Sequence, residues 1–190
     1  RAIALTESDD LAVASEALRA LGQSGSPDAL VPLLYPHLRQ IAHRQLGRLR
    51  SGETWNTTAL VHETYLKLAG RDGRYADLSH FLAVSACAMR HILVDYARRR
   101  HAAKRGGPRP LAPLDEDVAA VEAGIEEVLA VEQALARLGE LDPRLVRVVE
   151  CRVFAGYTEE ETAVALGLPL RSVQRYWQRA RAWLAEEMRR

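Results

Sequence analysis

Cysteine is scarce in this 190-residue chain, and strand-like alternation of β-branched residues is almost absent. The two cysteines, Cys87 and Cys151, both fall in apolar helical spacing. That excludes a disulfide framework and fits small buried thiols in a reducing compartment. No apolar run approaches the ~20 residues a membrane span needs, and no secretory signal pattern is visible. A cytoplasmic protein with no membrane partner is therefore expected. The six histidines are scattered, and none forms a zinc spacing with the cysteines. His62-Glu63 lacks the second histidine of a metalloprotease helix, and there is neither a phosphate-cradling glycine loop nor a nucleophile elbow. These absences point away from an enzyme, a metal site and a cofactor.

Apolar residues recur at spacings of three and four, so the expected fold class is all-α. Net charge is +1 at pH 7 but unevenly spread. Residues 27–105 hold 13 Lys and Arg against 6 Asp and Glu, a local excess of +7. Such a concentration suits a phosphate backbone.

The pattern divides the chain into an acidic helical extension (1–26), a four-helix domain (27–105), a linker (106–124) and a second helical domain (125–190). Gln23-Ser24-Gly25-Ser26-Pro27 closes the extension. A stripe from Leu30 to Leu49 follows, its regular helix expected to begin near Pro32 and to be distorted around Pro36. Ser51-Gly52 ends that helix. Another is expected from Thr58 to Ala69, with a Thr57 or Thr58 hydroxyl as its cap. The long segment Ser79–Gly106 begins with Ser79 as expected N-cap and ends in a cationic tail: Arg98, Arg99, Arg100, Lys104 and Arg105. The glycines and prolines of Gly106–Pro113 form the clearest boundary and are expected to act as a flexible joint.

In the second domain, helices are expected over Ile125–Leu138 and from Asp142-Pro143 to Gly156. Thr158 and Glu161 spell a capping box, and Gly167 a tight turn before a last helix over Leu170–Met188. This is a helix-turn-helix pattern. Val173, Trp177, Ala180 and Leu184 form its buried seam, leaving Arg171, Ser172, Gln174, Arg175, Gln178 and Arg179 outward. Arg and Gln bond guanine and adenine edges bidentately, and the stretch Arg171–Arg181 contains no acid. A basic helix end and a helix-turn-helix on one short chain point to DNA. Tyr75, His80, Phe81, His91 and Tyr96 are each of a kind that more often packs than stacks on bases, but as a group beside the basic strip they could serve a melted strand.

Three segments resemble the two-domain bacterial sigma factors of the extracytoplasmic-function (ECF) type. LVHETYLKL (Leu60–Leu68) is similar to that family's "LVQETFLRA" helix. MRHILVDYARRRHAAKRG (Met89–Gly106) resembles its helix for the −10 promoter element, and ALGLPLRSVQRYWQRARAWL (Ala165–Leu184) its −35 recognition helix. The resemblance covers Leu30 to Met188. It implies sigma domain 2, a linker and sigma domain 4, with core RNA polymerase and promoter DNA as partners. It places Arg90, His91, Asp95, Arg98, Arg99, Lys104 and Arg105 toward the −10 element. Arg171, Ser172, Gln174, Arg175 and Arg179 go toward the −35 element. The loop Gly70–Asp77 falls where the family receives a flipped-out base. His91 stands where Asn is common, and Pro169 replaces the usual Ser or Thr cap.

One departure bears on partners. Where the family carries acids resembling "DAED" against the polymerase clamp, this chain has Asn56-Thr57-Thr58-Ala59, followed by Glu63. Separately, TALVHE followed by ILVDYARRR and AKRGG most resembles a branch without a dedicated anti-sigma partner. A Ser/Thr protein kinase acting on Thr58, with Thr57 the lesser choice, would restore the missing charge. The competing reading is a helix-turn-helix regulator that binds DNA as a dimer without polymerase, residues 27–105 serving for dimerisation or sensing. An RNA-binding helical adaptor is a third.

Overall fold

The structure, a computed structural model, describes residues 31–47, 56–69, 75, 77–105 and 116–189, without the side chains of 31–33, 69, 104, 105 and 116–121. The expectations for the extension 1–26, for Ser51-Gly52, for most of the loop 70–77 and for the joint 106–113 lie outside the described residues. Seven α-helices, one π-helical segment and no strand are present among them, as the apolar spacing predicts. The helices are α1 Val31–Leu46, α2 Thr57–Ala69, α3 Leu78–Arg105, α4 Glu116–Leu141, α5 Pro143–Val149, α6 Glu159–Leu166 and α7 Leu170–Glu187. The π-helical segment Glu150–Ala155 continues directly from α5.

Local chemistry explains most of the helix ends. Asp142 caps α5 by accepting from the Arg144 amide, with Pro143 in the first turn. Thr158 and Glu161 form the expected capping box of α6, and Gly167 ends it at φ 62°. Two expected caps are corrected. Asn56, not Thr57 or Thr58, caps α2: its Oδ1 accepts from the Ala59 amide at 2.8 Å. Asp77, not Ser79, caps α3 by accepting from the His80 amide at 2.8 Å. In each case a short Asn or Asp side chain stands immediately before the helix, where its oxygen reaches the open amides. Helix α4 begins at Glu116, so residues 116–124, read as linker, are helical. Helix α1 runs through Pro36, where the ring lies on the exposed side.

Helices α1, α2 and α3 bury Leu34, Ile41, Leu60, Met89 and Leu93 against one another. A second core gathers Leu135, Leu138, Val148, Val173, Tyr176 and Ala180 from α4, α5 and α7. The two helical sets also pack together. Cys151, Ala155, Tyr157 and Ala165 belong to the same buried cluster as the first-set residues, and α3 touches the π-helical segment, α4 and α6. Hydrogen bonds cross the contact, among them Arg44 Nη1 to Ala155 O at 3.0 Å, Gln45 Nε2 to Phe154 O at 3.4 Å, and Tyr157 OH to Ser79 O at 2.8 Å. Both thiols sit near this seam. Cys151 is buried, and burial pushes its pKa up to about 12; burial and the neighbouring Glu150 push Cys87 up as well.

Gly156 ends the π-helical segment in the left-handed region, φ 78°. A β-carbon there would fall 1.3 Å from Arg44 Nη1. Gly156→Ala must move Arg44 off the Ala155 carbonyl and hold an L residue at positive φ. Together these are expected to destabilise the protein by about 1–3 kcal/mol. A lowered urea midpoint checks this; an unchanged midpoint would contradict the close approach of Arg44.

Candidate nucleic-acid interface

The sequence assigns two cationic surfaces, one on α3 and one on α7, and the structure treats them differently. Helix α7 is amphipathic. Val173 and Ala180 are buried, and Trp177 and Leu184 half-buried, which orients the seam as its spacing predicts. Tyr176 is also buried, at 6 % exposure, although its position lies outside that seam. Its ring is held by two guanidinium groups, Arg144 at 5.2 Å and Arg175 at 5.4 Å. Arg144 is itself fixed by both carboxylate oxygens of Asp142 at 3.0 Å. Those hydrogen bonds hold the Asp142 carboxyl below the usual carboxylate range.

Arg171, Arg175, Gln178 and Arg179 are exposed, and Ser172 and Gln174 are half-exposed. The α6–Gly167–α7 turn therefore presents cations and the amides of Gln174 and Gln178 on the side of α7 away from its buried seam. Pro169 holds extended backbone at the N-cap without a side-chain bond, while its carbonyl accepts from the Ser172 amide at 2.9 Å. This flank can enter a major groove and offer bidentate donors to base edges.

On α3 the expected set does not share one open face. Arg90 is 8 % exposed. It pairs with Glu132 of α4 and, at 2.9 Å, with Glu150 of the π-helical segment. Its guanidinium also lies 5.6 Å from the Phe154 ring centroid. His91 Nε2 lies 2.9 Å from Arg90 Nη2. Desolvation, then the Arg90 charge, push the His91 pKa below its ordinary value, so its neutral ring can accept from Arg90. Asp95 stands 3.7 Å from Lys67 and 3.9 Å from Arg98, and Arg98 is 3.8 Å from Glu132. Arg99 is exposed and donates to the Asp95 carbonyl at 3.3 Å. Arg100 donates to the Tyr96 hydroxyl at 3.0 Å. The side chains of Lys104 and Arg105 lie outside the described residues.

Of the aromatic group, Tyr75 packs edge-on against Phe81 at 4.9 Å and His80 at 6.2 Å. Phe81 leans on the first core, so this cluster is anchored rather than freely displayed. At the start of α2, Thr58 and Glu63 are exposed, Thr57 is half-buried, and Asn56 is occupied as the cap. No acid stands in the first turn of α2.

Glu132 and Glu150 are functional candidates that the sequence reading missed. Each is unremarkable locally, and their partner Arg90 lies 42 and 60 residues away. A buried arginine in an otherwise apolar stripe is the available signal, since such a charge requires partners. None of the described helices is long and apolar enough to cross a membrane.

A protein-family model described as "ECF sigma factor" matches residues 17–190. Neither a curated protein nor a solved structure matches the chain.

Proposed function

This chain belongs to the ECF sigma factor family, and from that premise we propose how its surfaces divide the work of a sigma factor. Sigma factors of this family bind core RNA polymerase and promoter DNA and direct transcription. On our reading the α7 flank, through Arg171, Ser172, Gln174, Arg175 and Arg179, reads the −35 element. Helix α3, through Arg90, His91, Asp95, Arg98, Arg99, Lys104 and Arg105, engages the −10 element. The observation that carries this is the acid-free exposed flank of α7 on a capped helix-turn-helix, inside a family match spanning nearly the whole chain. The family match favours this reading over a dimeric regulator that works without polymerase. Its place of action is the cytoplasm, with the transcription machinery.

The polymerase contact is proposed at the start of α2, against the clamp. Thr58 is exposed in the first turn, Asn56 already supplies the cap, and no acid complements the helix dipole there. A phosphate on Thr58 would add roughly −1.5 to −2 charges and three strong acceptors where the helix N-terminus favours them. Clamp arginines could then pair with it. A Ser/Thr protein kinase is accordingly the proposed activator, with Thr57 the less exposed neighbour. The test is core-polymerase binding by wild type, Thr58→Ala, Thr58→Glu and kinase-treated protein. Weak binding by the unmodified and alanine forms and tight binding by the phosphorylated form are expected. Equally tight binding by unmodified wild type and Thr58→Ala would refute the switch. The glutamate form is expected to fall between, since one carboxylate carries less charge than a phosphate.

A further inference from the structure

A cleft of about 260 Å³ lies among α3, α4 and the π-helical segment. Its walls are largely apolar: Leu93, Val94, Val128, Val131, Val153 and Phe154. Exposed Glu127 also lines it and marks the side open to solvent.

Two buried side chains bring polar atoms to this apolar wall: Gln45, 4 % exposed, and Arg90, 8 % exposed. The partners of each fix which atom is left over. Gln45 Nε2 donates to the Ala86 carbonyl at 3.0 Å and to the Phe154 carbonyl at 3.4 Å. Turning that amide over would set its oxygen against two carbonyls, so Oε1 is the free acceptor. Arg90 spends Nη1 on Glu132, and Nη2 on Glu150 and His91. Its Nε–H is the free donor. Gln45 Oε1 and Arg90 Nε have no hydrogen-bond partner among the described residues. Unpaired buried polar atoms are costly, and a few such groups in an apolar concavity are what orient a small ligand.

We infer that this cleft binds a small uncharged molecule with an apolar body and a head that both accepts and donates, a primary acyl amide being the simplest class. The carbonyl of such a head accepts from Arg90 Nε–H, and its NH2 donates to Gln45 Oε1. Charge narrows the class. Arg90 already faces the carboxylates of Glu132 and Glu150, and Glu127 adds a third acid, so a carboxylate ligand meets repulsion. An ammonium offers no acceptor and leaves Nε–H unpaired. Size narrows it further. An apolar cavity of about 150 Å³ holds benzene, so this cleft holds roughly ten non-hydrogen atoms. Water can pair the two polar atoms but cannot replace the gain from covering the apolar walls. The inference needs neither DNA nor polymerase and is independent of the sigma reading.

The experiment titrates the full chain with octanamide, octanoate and n-octylammonium, three probes of nearly equal size. Calorimetry reads affinity, and thermal unfolding reads stabilisation. Nitrogen-15 NMR follows the Arg90 Nε–H and Gln45 side-chain amide cross-peaks. Octanamide should bind saturably, shift those cross-peaks and raise the melting temperature. The charged probes should bind about tenfold or more weakly. Val128→Phe fills the cleft and should weaken octanamide binding about tenfold or more, with circular dichroism checking the fold. Should that variant not fold, Gln45→Met removes the acceptor at similar size and should bring octanamide down toward octanoate. The wild-type comparison of the three probes stands without either variant.

Equal affinities for the three probes, or cross-peak shifts elsewhere than at Arg90 and Gln45, would overturn the inference. So would an absence of saturable binding up to the solubility of octanamide, which would mean that the cleft takes only water. None of these results bears on promoter recognition, which DNA binding and transcription test separately.

Discussion

Leu138→Ala is expected to destabilise the second helical set by about 2–5 kcal/mol. Leu138 is fully buried at the centre of that core, against α5 and α7, and its carbonyl accepts the Asp142 amide at 3.0 Å just where α4 gives way to α5. Truncation removes packing atoms at a junction of three helices, where collapse around the void is hindered. The measurement is urea unfolding followed by circular dichroism and by tryptophan fluorescence. Two of the three tryptophans, Trp177 and Trp183, pack against this core, so fluorescence weights the second set. If the sets fold as separable units, fluorescence shifts to lower urea while part of the helical signal persists to the wild-type midpoint. Coincident loss of both signals would mean that the two sets unfold as one body, and an unchanged midpoint would contradict the core assignment itself.

Arg175→Ala is expected to weaken specific DNA binding by about 1–3 kcal/mol and to relax preference at one position of the −35 element. Arg175 is exposed on the α7 flank and steadied by the Tyr176 ring. Its loss therefore removes a pre-oriented fork rather than a loose cation. Arg99→Ala, on the exposed part of α3, is expected to act differently. It should weaken binding to all sequences alike and reduce the salt dependence by about one phosphate contact. Binding isotherms on a panel of single-position promoter variants at several salt concentrations distinguish the two. Equal, sequence-independent losses from both substitutions would refute the division between base reading and phosphate holding.

Much of this architecture is visible in the sequence because its cues are local. Thr158 with Glu161, Asp142 with Pro143, and Gly167 each act within a few residues, and each appears where the pattern places it. The caps of α2 and α3 fall close to the expected residues but on Asn56 and Asp77, which stand immediately before the first helical residue, while Thr57, Thr58 and Ser79 lie inside the first turn. Tyr176 lies three residues after Val173 and four before Ala180 and shares their buried face, whereas the seam drawn from spacing runs through Trp177, which packing leaves half-buried. The π-helical turn at Glu150–Ala155 has no comparable signature. Above all, nothing local announces that Arg90 meets Glu132 and Glu150. That arrangement emerges only when α3 is packed against the second set, and it changes the reading of α3 from an open cationic strip to a partly covered one.

As a member of the ECF sigma factor family, this chain is expected to turn core RNA polymerase into a promoter-selective enzyme. The most direct test is run-off transcription by purified core polymerase on fragmented genomic DNA, with and without the full-length, kinase-treated chain. Discrete new transcripts are expected that require both components and disappear when Arg171 and Arg175 are both replaced by alanine. Core polymerase that gains no start sites, alongside a chain that binds palindromic DNA as a dimer on its own, would contradict that expectation.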